Sequence, residues 1–135
     1  NDAIEKLNEQ IKKSKLNKNI SPVGYLNEKE VLNILKSSKI FLFTDHEAGF
    51  GLAAAQALAA GVPIVGWDIG ILGKVFQKGF KTARLSNFQE FAYQITNLFK
   101  NSDEYKKLRN DALFESKKHT WEKITKDFEK LISRL

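Results

Sequence analysis

The 135-residue chain has no cysteine, no methionine, only two prolines and only two histidines. Without thiols it can form no disulfide, carry no thiol nucleophile and build no cysteine-ligated zinc site. The histidines, His46 and His119, lie far apart in sequence without ligand spacing. The neighbours Asp45-His46-Glu47 are too close in sequence to converge on one ion, so no metal site is expected, and no cofactor either. No apolar run is long enough to cross a bilayer and no signal peptide is visible, so the expected location is cytoplasmic. No repeat or low-complexity linker breaks the chain, which reads as one domain over residues 1–135, with terminal helices over about 102–135. It does not begin with Met, as expected of a fragment or a processed piece.

Charge is present in ordinary amount but not concentrated. The net charge is +6, yet basic and acidic residues balance over 41–99, and the excess lies on the flanks, mixed with acids. A nucleic-acid groove calls for clustered basic residues with aromatics between them, so no nucleic-acid partner is expected. Weak peripheral contact with an anionic membrane surface is the minor alternative.

The informative stretch is Thr44 to Trp67, TDHEAGFGLAAAQALAAGVPIVGW. Ile40-Phe41-Leu42-Phe43 before it is a continuous apolar run, the mark of a parallel strand buried on both faces. Gly49-Phe50-Gly51 leaves the backbone accessible at two of three positions. Leu52 to Ala60 is a small-residue helix, Gly61 a C-cap and Pro63 a stop before a second strand to Trp67. A glycine loop opening the helix of a βαβ crossover is the usual place for an anion or phosphate, although a glycine pair before a helix is by itself a common feature.

The longer pattern AGFGLAAAQALAAGVPIV resembles the signature of two-Rossmann-domain, glycogen-synthase-like (group 1) retaining glycosyltransferases. Phe50, Gly51, Leu52, Ala57, Ala59, Gly61, Pro63 and Val65 fall in register with it. Three acidic positions depart: Ala48 and Gln56 stand at the two acids of the helix motif, and Lys74 precedes Val75 where the family has an acid. The resemblance implies an α/β, Rossmann-like parallel sheet with flanking helices, an incomplete half of a double-Rossmann enzyme. It also implies a nucleoside-diphosphate sugar as ligand, metal-independent retaining transfer to an acceptor, and a companion N-terminal domain or upstream segment.

Site roles follow from the resemblance residue by residue. Gly49, Phe50, Gly51 and Leu52 would meet the diphosphate. Gln56 would hold the ribose through one acceptor oxygen where the family has a carboxylate. Glu47, one residue before the first acidic position, is the candidate catalytic acid touching the donor sugar; its other reading is a solvated loop acid. Tyr25 would touch the base; its other reading is a strand-end Tyr packing over the sheet edge. The lost acids favour a rival: a non-catalytic nucleotide-binding or protein-interaction module of the same fold.

Around this unit, spacing predicts a helix from Asp2 to about Lys15 and a short strand Ile20–Val23 ending at Gly24. A helix with a capping box from Asn27 to Glu30 follows, and later a strand Thr82–Leu85. Ser86 or Asn87 would cap the next helix, and Trp121, Ile124, Phe128, Leu131, Ile132 and Leu135 form one stripe on the last. Judged against the family, the four strands are the third to sixth of the order 3-2-1-4-5-6. The Ile40–Thr44 strand should then have one edge unpaired within this chain.

Overall fold

The computed structural model describes residues 2–134, which divide into two compact units, 2–31 and 32–134. The first unit holds α1 (Asp2–Lys13), with Ile11 buried and Ile4 and Leu7 exposed. Residues 20–25 carry no ladder. The expected strand Ile20–Val23 is therefore absent. Pro22 within it has no N–H to offer a neighbouring strand. The capping box is present: the Asn27 N–H donates to Glu30 Oε2 at 2.8 Å, and the Glu30 N–H donates to Asn27 Oδ1 at 3.0 Å. It opens α2 (Glu28–Ser37).

The second unit is built on three parallel strands, β1 (Phe41–Phe43), β2 (Ile64–Trp67) and β3 (Phe80–Ala83), in the order β1-β2-β3. Phe41 pairs with Ile64, and Ile64 with Phe80, so strands and crossovers advance in one direction across the sheet. Among the described residues nothing pairs with the outer edge of β1, and Leu42 is exposed there. That is the free edge expected for the Ile40–Thr44 strand.

β3 starts and ends two residues earlier than its composition suggests. Gly79 sits at φ +85° and its carbonyl accepts from the Ile64 N–H, starting the pairing. The Arg84 N–H is taken by Glu90 Oε2, so pairing stops at Ala83 and Leu85 is left exposed.

The helices are α3 (Leu52–Ala59), α5 (Phe88–Lys100), α6 (Ser102–Ser116) and α7 (Trp121–Ile132), with α4 (Ile71–Lys74) a single turn. α4 is not a continuous helix, because Leu72 (ψ 110°) and Gly73 (φ 113°) break it; the two-glycine stretch is a kinked turn. Asn87, not Ser86, caps α5, accepting from the Glu90 N–H at 3.1 Å, while Ser86 takes a left-handed φ of 64°. Val65 and Trp67 of β2 pack with Phe91 and Leu98 of α5, Ala83 of β3 and Leu108 of α6. The alternate residues Ile64 and Gly66 face the other way, and a Cβ on Gly66 would lie 2.7 Å from Leu72. α6 lies directly on the backbone before β3: a Cβ on Gly79 would stand 2.6 Å from Ala112 Cα.

α7 departs from what its stripe suggests. Trp121, Ile124, Phe128, Leu131 and Ile132 are all exposed, Trp121 by 84%; Leu135 lies outside the described residues.

Candidate functional site

The glycine loop follows β1 and delivers the chain to α3. Gly51 is the residue before the helix and takes a left-handed conformation, φ 81° and ψ 54°, which disfavours any side chain. A Cβ there would also press on Ile71 Cγ2 at 3.1 Å, so the turn after β2 is packed against the start of α3. Gly49 is the opposite case, since nothing lies within 4 Å of where its Cβ would be. One glycine fits the fold and the other leaves room.

No side chain caps α3. Its first N–H groups have no intrahelical acceptor, and with the helix dipole they form a partial positive charge suited to an anion. Ala54, Ala57 and Leu58 are buried, a spacing that puts one face on the sheet and α6. Leu52, Ala53, Gln56 and Ala59 occupy the exposed face. Gln56 therefore stands one turn along from the loop, on solvent, its side chain without a hydrogen-bond partner among the described residues. The Gly61 cap adopts φ 70°, as its place after the helix predicts.

Glu47 is exposed in the loop after β1. Phe50 is 41% exposed. Tyr25 is 97% exposed and so packs over no strand edge; it belongs to the first unit, and the other candidates belong to the second. His46 meets the edge of Trp67 at 6.4 Å between ring centroids. No group of three or more His, Cys, Asp or Glu that could hold a metal ion occurs among the described residues. Lys74 folds back over Gly70, its Nζ 3.5 Å from that residue's would-be Cβ. A concavity of about 660 Å³ lies elsewhere, over residues 84–89 where β3 passes into α5. It is lined by one continuous segment, open to solvent, and does not include the glycine loop.

A family match covers most of this architecture: residues 2–113 fit the family described as "Glycosyl transferases group 1". The chain belongs to the group 1 glycosyltransferases. It is 32% identical over 113 residues to a 2-deoxystreptamine N-acetyl-D-glucosaminyltransferase of Niallia circulans, a match covering 83% of this chain and 27% of that protein. It is 25% identical over 135 residues to an uncharacterised glycosyltransferase of Methanocaldococcus jannaschii, covering 96% of this chain and 38% of the other. The chain thus spans well under half the length of both relatives. Its fold is similar to the crystal structure of the C-terminal domain of a group 1 family glycosyl transferase from Francisella tularensis. The TM-score is 0.75 at 19% identity, over 87% of this chain and 62% of that one. The chain is accordingly a glycosyltransferase domain with the parallel half-Rossmann architecture of such C-terminal domains.

This glycosyltransferase domain also brings together residues that spacing alone does not connect. Glu115, at the end of α6, is wholly buried. Its Oε1 accepts from the Gln77 N–H at 3.0 Å, and its Oε2 accepts from Lys118 Nζ at 2.8 Å. His119 Nε2 lies 3.4 Å from Oε1 and donates to it when Nε2 carries the proton. Burial alone would push the Glu115 carboxyl up. The hydrogen bonds from Lys118, the Gln77 N–H and His119 outweigh it and hold the group below the ordinary carboxylate range. The His119 ring meets Phe76 edge-on at 5.0 Å and Phe50 at 6.0 Å. A histidine far along the chain thus reaches the glycine loop. The only sequence signal is the acid four residues before it on a helical turn, a spacing too common to single out.

Proposed function

We propose that this domain is the nucleotide-sugar-binding, C-terminal half of a metal-independent retaining glycosyltransferase, with the nucleoside diphosphate at Gly49–Leu52. The observation that carries the reading is the uncapped start of α3 beside an open Gly49, in the position that matches the family signature. As the donor's glycosidic bond breaks, negative charge grows on the departing diphosphate. Backbone N–H groups already aimed at that place stabilise it without reorganising. In this reading Gln56 holds the ribose and Glu47 meets donor-sugar hydroxyls. The unpaired edge of β1 and the greater length of the relatives support a companion segment or domain that completes the sheet and brings the acceptor. Closing a cleft between two domains would also exclude water from the donor. The 135 residues alone are therefore expected to transfer no sugar; transfer to an acceptor by this chain would overturn the assignment.

The test of the loop reading is calorimetry with uridine and guanosine diphosphate. Gln56→Ala should weaken binding by about 1 kcal/mol, the order of one hydrogen bond, and Gln56→Glu should restore or tighten it. Equal affinity for all three forms would return Gln56 to a plain solvent face. A second reading, a binding module without catalysis, is favoured by Ala48, Gln56 and Lys74 at the family's acidic positions. It predicts nucleotide binding that persists while the full-length protein releases no nucleotide from any sugar donor.

A further inference from the structure

The loop that meets the ligand in the reading above has few anchors of its own. Nothing lies within 4 Å of where a Gly49 Cβ would be, Gly51 is packed near Ile71 and Phe76, and Phe50 between them is part exposed. What Phe50 does touch is specific: the Phe76 ring at 5.6 Å and the His119 ring at 6.0 Å, each near-perpendicular. Edge-to-face packing at these separations is a favoured aromatic geometry.

Phe76 and His119 are linked through one group, while the Phe76 backbone is also bonded to Ile71 and Gly73. Glu115 accepts from the N–H of Gln77, the residue after Phe76, and from His119 Nε2 when that nitrogen carries the proton. Lys118 neutralises it. An ionised carboxylate buried this fully is tolerated only when it is paired and bonded, and its bonds hold the groups that satisfy it. α6 also reaches the opposite end of α3, where the Leu113 side chain lies 3.1 Å from the would-be Cβ of Gly61. The segment from Leu113 to His119 therefore spans α3 from C-cap to glycine loop, running antiparallel to it.

We propose that Glu115 and His119 are positioning residues for ligand binding at the glycine loop: Glu115 fixes the His119 ring against Phe76 and Phe50, and so sets the path of Phe50 and Gly51. The ligand half of this statement rests on the loop being a nucleotide site, but the positioning half does not. His119 is the residue to vary, because its ring is part exposed, whereas Glu115 and Phe76 are wholly buried.

The experiment is 15N relaxation on the full chain without ligand, followed by titration with uridine and guanosine diphosphate. In the wild type, the Phe50 and Gly51 amides should show order parameters near 0.85, those of rigid backbone, and His119→Ala should drop them to about 0.6 or below. His119→Phe, which keeps a ring at the position, should stay near the wild type, and Glu115→Gln should fall between. Leu98→Ala, in the core between α5 and β2, should lower the melting temperature without loosening Phe50 or Gly51. Unchanged order parameters in His119→Ala, or equal loosening by Leu98→Ala, would overturn the proposal. With whichever nucleotide the wild type binds, His119→Ala should raise Kd about tenfold, the order of fixing one further residue on binding. An unchanged Kd would refute the link from positioning to binding. If the wild type bound neither nucleotide, the loop reading would fail, and the relaxation result would still decide whether Glu115 and His119 set the loop.

Discussion

Helices α3 and α7 invert the relation between sequence pattern and burial. α7 has the more regular apolar stripe, Trp121, Ile124, Phe128 and Leu131, yet none of its residues is buried. α3 has little periodic contrast, being mostly alanine, and yet Ala54, Ala57 and Leu58 are completely inaccessible. A stripe states only that a helix could cover an apolar surface; what covers it depends on the partner. α3 has its partners within the chain, β1, β2 and α6. Its alanines let α6 and the sheet come close, and the glycines at 51, 61 and 79 mark where they come closest.

The largest losses of stability are expected at those close approaches. Gly79→Ala adds a Cβ against the α6 backbone at a left-handed residue, and should cost roughly 3 kcal/mol in urea unfolding from conformational strain and overpacking together. Leu58→Ala should cost about 3 kcal/mol, the range of a buried leucine truncation. Losses below about 1 kcal/mol for both, against the same scale, would mean that α3 and α6 are not packed as described.

A smaller effect is expected from acid. The Glu115 carboxyl is held below its ordinary value in the folded chain, so ionised Glu115 stabilises the fold fully above about pH 4.5, the unfolded value. That contribution is lost as pH falls below 4.5 through the folded pKa. Unfolding midpoints measured from pH 6 to pH 3 should show Glu115→Gln less acid-sensitive than the wild type; parallel curves would remove the carboxylate from the account. The smallest effect belongs to α7. Phe128→Ala should change stability by no more than about 0.5 kcal/mol, as an exposed substitution does. A loss of about 2 kcal/mol or more would show the stripe to be covered in solution and would erase the contrast with α3.

These two helices also show what can be read from sequence. Where a feature is set within a few residues, the residues state it: the Asn27–Glu30 box and the Gly61 cap, with the α5 cap narrowed to Ser86 or Asn87 and found at Asn87. The glycine loop and its flanking strands were legible for the same reason. The strand expected at Ile20–Val23 was not, because a strand exists only with a neighbour and local composition cannot supply one. β3 was displaced because Thr82-Ala83-Arg84-Leu85 looks extended, whereas Gly79 and the Glu90 carboxylate decide where pairing begins and ends. The reach of His119 to Phe50 was hidden because it depends on how α6 crosses α3, a tertiary fact with no local period.

If the start of α3 is the ligand site, a bound nucleotide must perturb the backbone there. The most direct test is titration of 15N-labelled protein with uridine or guanosine diphosphate, following backbone amide shifts. The largest changes should fall on Gly49, Phe50, Gly51 and Leu52, with the Gln56 side-chain amide moving alongside them. Changes confined to residues 84–89, over the concavity where β3 passes into α5, or no saturable change with either nucleotide, would contradict it.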